Sequence, residues 1–342
     1  MLATAPAVRA AAGTLPRTFW GYPRVDGSAG IRNLLLVVPS VICANTVAQR
    51  VASLIPGAVA IPHPHGCAQV GDDVTLTERV LAGAAANPNV GAALVVGLGC
   101  ETCQASQVAE LAGALAPGKP IESYYIQETG GSIKAIAYGV EAGKRLMAQI
   151  ASQQRQEVPI SRLIAGVLCA GGGADKEGRT LASDALAGAA ASAVVQAGAT
   201  AILAGSAAPH LLGSGGAGAL GIAERPARAG LFTMATPDHA EVALSALAAA
   251  GAQLCLYSTA RGSPIGNAIA PVLKLCGAGR ALAQLDELVD FATPEALEGP
   301  EAVAELAPEL LQLLVDVCNG QPTNAEIIGH QEFAIHRIGP TV

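Results

Sequence analysis

The chain has 342 residues, of which 51% are hydrophobic, 14% charged and only 3% aromatic, with a formal net charge of −7. That length gives one large or two ordinary domains with ample core material, and scattered Lys and Arg on an acidic chain exclude the basic stripe of a nucleic-acid-binding protein. Eight cysteines in so long a chain are too sparse for a disulfide framework and read as reduced thiols of a cytoplasmic protein.

Residues 1–18 are Ala-rich, with Arg9 and Arg17 but no compact apolar segment, and read as a flexible arm rather than a signal peptide. Strand-like and helical runs then alternate, which predicts an α/β fold of two Rossmann-like units with mainly parallel sheets flanked by helices. The first unit, 19–155, has apolar strand runs at 33–40, 58–63, 92–99 and 121–127. Helices follow them at 44–53, 73–86, 104–115 and 131–153, and Asp72 or Thr75 is able to cap the second. The polar stretch 153–159, ending in Pro159, marks the boundary.

The second unit, 156–342, opens with a strand at 163–168. Residues 185–223 carry no Asp, Glu, Lys or Arg, yet glycines and Ser192, Gln196 and Thr200 interrupt them. A membrane span needs about 20 dense apolar residues, so this segment reads as buried helix, turn and buried strand, the strand at 200–204. The glycine-rich 213–221 reads as an irregular mobile loop. A helix at 239–250, a strand at 253–257, an amphipathic helix at 301–320 and an irregular tail complete the chain.

Four apolar runs end on reactive side chains: Cys43, His65-Gly66-Cys67, Cys100-Glu101 and Cys169. The carboxyl ends of parallel strands share one edge, where ligands bind, so these groups are expected to meet there. His63, His65 and Cys67 suit a soft or borderline cation, or form a turn with a surface imidazole and an inert thiol. Glu101, just past a strand end, suits acid/base work or metal ligation. The spacing of Cys100 and Cys103 fits redox or zinc chemistry, unless Cys103 starts the helix and faces inward.

Glu128 to Lys134 reads as a strand-to-helix turn whose N–H groups and Lys134 ammonium could hold an anion; the alternative is a solvated lysine. Arg261, set among Ser258, Thr259 and Ser263, could fork onto a substrate carboxylate or be an ordinary surface arginine. Arg32 and Asn33 precede the first strand, at the end opposite Cys43. They read as structural unless an interface or a fold-back brings them to the site. The Gly171-Gly172-Gly173-Ala174-Asp175 segment resembles an anion loop but matches no nucleotide fingerprint.

Several motifs in order resemble the altronate/galactarate dehydratase family, which includes the large subunit of sulfolactate sulfo-lyase. They are Gly21 to Asn33, His65-Gly66-Cys67 with Gly71-Asp72-Asp73, Gly97 to Glu101, Gly130 to Lys134, Ser258 to Pro264 and Gly329 to Thr341. The chain departs from the family around Cys169, after residue 204, at Pro209 and between Gly221 and Glu224. It also resembles a member without the family's small N-terminal domain. The resemblance implies a metal-dependent dehydratase that removes the α-proton of a small hydroxy-carboxylate or sugar acid and expels a β-substituent.

For this chain it implies His65, Glu101 and Lys134 as catalytic groups. Arg32, Asn33, Glu128, Arg261 and Ser263 would contact substrate. His65, Cys67, Cys100 and Asp175 would hold a divalent metal, Fe2+ or else Mn2+ or Mg2+. Two other readings stay open. One is a sulfo-lyase or iron–sulfur lyase subunit with Cys43, Cys67, Cys100 and Cys169 around a cluster; the other is a non-catalytic, ligand-binding remnant. A homo-oligomer and a separate small subunit are the expected partners, with no membrane association.

Overall fold

A computed structural model describes residues 13–170, 182–205, 218–237, 239–259, 262–277, 284–293 and 300–339. The protein is α/β, with two parallel sheets flanked by helices. The first sheet comprises β3 (Leu34–Pro39), β4 (Ala58–Ala60), β5 (Val90–Gly97) and β6 (Ile121–Tyr125), in the order β4-β3-β5-β6. Its central strands β3 and β5 are near-continuous apolar runs because both faces are covered. Leu35, Val37, Leu94 and Val96 meet α1 (Asn45–Ser53) and α4 (Ser132–Ala151) on one face. Leu36, Val38, Ala93 and Val95 meet α2 (Asp72–Ala86) and α3 (Ala105–Leu115) on the other.

Among the described residues the second sheet has seven parallel strands in the order β10-β11-β9-β8-β12-β13-β14, with β10 at Gly218–Leu220, β11 at Gly230–Met234, β13 at Val272–Cys276 and β14 at Phe291–Ala292. At its centre are β8 (Ile164–Ala170), β9 (Thr200–Ala204) and β12 (Leu254–Thr259). One face packs on α5 (Ala182–Gln196) and α7 (Pro300–Cys318), the other on α6 (Ala240–Ala249). The expected helices and central strands are present, with ends shifted by a few residues.

Several elements differ from expectation. Strand β1 (Thr18–Pro23) pairs antiparallel with both β2 (Ala29–Gly30) and β7 (Gln156–Pro159), so the beginning of the first unit is tied to the segment between the two parallel sheets. Neither carries a long apolar run. Gly218–Leu220, expected in an irregular loop, forms edge strand β10 against β11 (Gly230–Met234), and 213–217 lie outside the described residues. The tail contains the short helix α8 (Asn324–Ile328), whose start is a capping box of Thr323 and Glu326. Among the described residues, no helix is long and apolar enough to cross a membrane.

The two sheets share one core. Helix α2 lies against α6, and a Cβ on Gly83 would strike the Ala249 carbonyl, so glycine sets the close approach. Buried amides bridge the halves: Asn87 Nδ2 donates to the carbonyls of Ala248 and Ala252, and Asn89 Nδ2 to those of Gln253 and Ile269. Asn89 Oδ1 accepts from the amide of Ile31 at 2.8 Å. A buried polar group left unpaired costs about 1–3 kcal/mol, so this network fixes the orientation of the sheets as well as holding them together.

Candidate functional site at the carboxyl edge of the first sheet

Strand order reverses in the first sheet between β3 and β5, since β4 lies to one side of β3 and β5 to the other. The loops that leave these strands are stitched to one another there. Ile42 N–H donates to the His65 carbonyl at 2.9 Å, and the amides of Thr102 and Cys103 donate to the Gly66 carbonyl at 3.1 Å. A Cβ on Gly66, whose φ is +100°, would collide with the Ser40 carbonyl; only glycine permits this approach. The β6 loop joins through the Ile126 and Gln127 amides, which donate to Gly97 and Leu98. The structure thus gathers His65, Cys67, Cys100 and Glu101 at one edge, next to the turn that starts α4.

Glu101 spans the switch point. It is 4% exposed, and Oε1 accepts from Ser40 Oγ at 2.9 Å and from Leu98 N–H at 3.1 Å. Oε2 accepts from Gly99 N–H at 2.5 Å. The carboxylate assigned to acid/base work from the sequence is therefore occupied as a brace for its own loop. A Cβ on Gly97 would meet its Oε1, which explains the glycine.

The two imidazoles differ. His63 Nε2–H donates to the Pro39 carbonyl at 2.7 Å and Nδ1 accepts from His65 N–H at 3.2 Å; burial lowers its pKa to about 4. It is a neutral structural group. His65 Nε2 lies 3.1 Å from the Ile335 carbonyl. A carbonyl only accepts, so Nε2 carries the proton and Nδ1 the lone pair. Gln69 Nε2 approaches Nδ1 at 3.4 Å and has a shorter bond to Thr77 Oγ1 at 3.0 Å. Burial, with a smaller contribution from the Arg337 charge, lowers the His65 pKa, so the ring is an unprotonated base at neutral pH.

The C-terminal segment supplies that carbonyl, and nothing in its sequence periodicity announces it. Gly266 N–H donates to Glu332 Oε2, Ala334 N–H to Ser245 Oγ, and the amides of Ile338 and Gly339 to the two oxygens of Asp73 at 2.7 and 2.8 Å. Asp73, in the first turn of α2, thus clamps the tail. Neither Asp72 nor Thr75 caps the helix; Gly71 holds the cap position without a side-chain bond. Glu332 and Ile335 are three positions apart, a reach of about 10 Å, so the tail joins the carboxyl edges of both sheets.

The other candidates are dispersed. Arg32 forms a salt bridge with Glu326 at 2.7 Å and bonds to the carbonyls of Ile31, Val317 and Gln321. Asn33 bonds to Arg24 and to the Ile150 carbonyl. Both sit at the amino edge of the sheet, and no fold-back brings them across. Glu128 is exposed, as is Lys134, whose stem lies over Gly130 on the first turn of α4. Ser263 Oγ accepts from Ile265 N–H in the loop after β12. Asp175 and Arg261, with the Gly171–Gly173 loop, lie outside the described residues.

The thiols do not assemble as expected. Cys43, Cys67 and Cys100 are exposed, whereas Cys103 is in the core and burial raises its pKa to about 12. Cys100 and Cys103 therefore point into different surroundings and form no redox or zinc pair. Cys169 is buried on β8, where its thiol bonds to Asp184. Asp184 also accepts from Ser258 Oγ at 2.5 Å across the β8/β12 switch point of the second sheet, echoing Glu101 and Ser40. Burial raises the pKa of both Cys169 and Asp184.

Among the described residues, no three His, Cys, Asp or Glu side chains converge to hold a metal. Cys169 is buried whereas Cys43, Cys67 and Cys100 are exposed, so among the described residues these four thiols form no cradle for a cluster. Asp175, the fourth expected ligand, lies outside the described residues, and the chemistry considered below is carried by protein groups.

The same edges and tail are where the sequence matches a known family. A profile described as D-galactarate dehydratase/altronate hydrolase, second domain, matches residues 21–151. One described as D-galactarate/altronate dehydratase, C-terminal, matches 216–341. The chain is 29% identical to (2R)-sulfolactate sulfo-lyase subunit beta of Chromohalobacter salexigens, over 94% of this chain and 98% of that protein. It is 26% identical to altronate dehydratase of Escherichia coli, over 94% and 78%. It is 24% identical to galactarate dehydratase (L-threo-forming) of the same species, over 94% and 77%. Matches that run from the first strand of this architecture to the clamped tail make the chain a member of the D-galactarate/altronate dehydratase family, a family of lyases.

Proposed function

We propose that the protein is a carbon–oxygen lyase that removes the α-proton of a small hydroxy-carboxylate and expels the β-substituent. One observation carries the reading: a buried imidazole, neutral at pH 7, with its Nδ1 lone pair fixed by the Ile335 carbonyl on Nε2. Such a group has the lone pair that a general base needs at neutral pH. Gln69 can release Nδ1 because Thr77 holds it independently. The tail over His65 keeps water from the base, which strengthens each electrostatic contact inside.

In the elimination, His65 Nδ1 takes the C2 proton, and the electron pair forms the C2–C3 double bond as the C3 substituent leaves with its bonding pair. A hydroxyl leaves as water after protonation. The enol then gains a proton at C3 to give a 2-oxo acid. The four stitched loops fix the position of the base, and Lys134, exposed beside them, holds an anionic group at the far end of the substrate. Glu101 acts through its loop as a positioning residue.

A sulfo-lyase is the second reading, favoured by the coverage of the sulfolactate relative, 98% against 78% for altronate dehydratase. There the leaving group is sulfite, and a separate small subunit is the expected partner, as the relative's designation as subunit beta suggests. The test is formation of 2-oxo acid from altronate, galactarate and (2R)-sulfolactate, with sulfite measured in parallel. Sulfite release assigns the sulfo-lyase, 2-oxo acid without sulfite assigns the dehydratase, and neither product, with or without a small subunit, leaves the ligand-binding remnant.

A further inference from the structure

We infer that Arg337, delivered by the C-terminal strap 332–339, binds the carboxylate next to the carbon that loses its proton; this rests on the elimination reading above. The strap is clamped at both ends, by Gly266 on Glu332 and by Asp73 on the Ile338 and Gly339 amides. Between the clamps, Ile335 fixes His65 and Arg337 lies within electrostatic range of both His65 and Asp73. The Arg337 Nε donates to the Gly339 carbonyl at 2.8 Å. Its Nη2 is buried and has no hydrogen-bond partner.

A buried guanidinium nitrogen without a partner carries a desolvation penalty that an anion would remove. Asp73, the nearby carboxylate, is committed to the two backbone amides and makes no hydrogen bond to this nitrogen. The missing partner is therefore an anion that enters beside His65, and the planar guanidinium fork matches a carboxylate. The location selects which carboxylate: as His65 removes the α-proton, negative charge spreads onto the adjacent carboxylate, where a preorganised cation stabilises it most. The same charge helps keep His65 unprotonated, so one residue serves both base and intermediate.

The test is kinetics and calorimetric titration of the full chain with (2R)-sulfolactate, altronate and galactarate, using Arg337→Gln, Arg337→Lys and Arg337→Ala. Arg337→Gln should raise KM at least 30-fold and move the acid limb of kcat/KM to higher pH, because a positive neighbour of His65 is lost. Arg337→Lys should recover only a small part of the loss, and added guanidinium ion should restore turnover of Arg337→Ala, which a merely structural role would not allow. Wild-type KM and pH profile in Arg337→Gln would overturn the assignment. If the wild-type chain turns over none of the three acids, the elimination reading fails and titration decides the arginine. Binding lost in Arg337→Gln supports it, and equal binding, or none in the wild type, overturns it.

Discussion

Glu101→Gln separates the two roles that a carboxylate at a strand end can play. In the structure Oε1 takes two donors, from Ser40 and Leu98, and Oε2 takes one, from Gly99. Glutamine keeps one acceptor and puts an NH2 group against either the Gly99 amide or the Ser40 and Leu98 donors. At least one donor of the loop loses its partner against the buried carboxyl group, at about 2 kcal/mol. Hydrogen exchange followed by mass spectrometry of residues 95–104 should then accelerate roughly 30-fold. Turnover should fall through misplacement of the loop, with KM and kcat both affected. Unchanged exchange together with a loss of kcat of about a thousandfold would refute the brace and return Glu101 to acid/base chemistry.

Other predictions address the core and the cysteines. His63 has a folded pKa of about 4 against about 6.5 in the unfolded chain, so the unfolded state binds the proton first as pH falls. Its contribution is complete above pH 6.5 and is lost as pH drops from 6.5 toward 4, by about 3 kcal/mol. Urea unfolding of His63→Gln should show a correspondingly shallower loss over that range, and equal slopes would disprove the account. Asn89→Ala removes the acceptor of the Ile31 amide and strands two buried carbonyls; it should cost about 3 kcal/mol or more in the same assay, and a loss under 1 kcal/mol would show that the bridge is dispensable. Cys67→Ala and Cys100→Ala should leave the metal content of the purified chain unchanged by elemental analysis, since no ligand triad forms around these thiols among the described residues. Loss of stoichiometric iron in either variant would contradict this.

The central strands were legible because runs such as 33–40 and 92–99 are buried on both faces and read as unbroken apolar segments. The small antiparallel sheet around β1 was not. β1 mixes Trp20 and Tyr22 with Gly21 and Pro23, and pairs with β7, whose side chains are mostly exposed. The shared edge of His65, Cys67, Cys100 and Glu101 follows from topology alone, so strand ends revealed it. Their roles do not follow from position. Glu101 looks like a free carboxylate until Ser40, 61 residues earlier, is found on it.

Asp73 shows the same limit. It stands at a helix start, where a carboxylate reads as favourable to the helix, and its bonds go instead to amides 265 and 266 residues away. Ile335 and Arg337 lie in a motif of the family resemblance, but their roles carry no signal, because an extended segment without period 2 or 3.6 acquires meaning only from what it crosses.

The most direct test is formation of 2-oxo acid by the wild-type chain and by His65→Gln on the three hydroxy acids. Proton loss from C2-deuterated substrate is followed in the same samples. The wild type should give product with a primary isotope effect, and a normally folded His65→Gln should turn over at least a thousandfold more slowly. Comparable rates in the two proteins would contradict proton abstraction by His65.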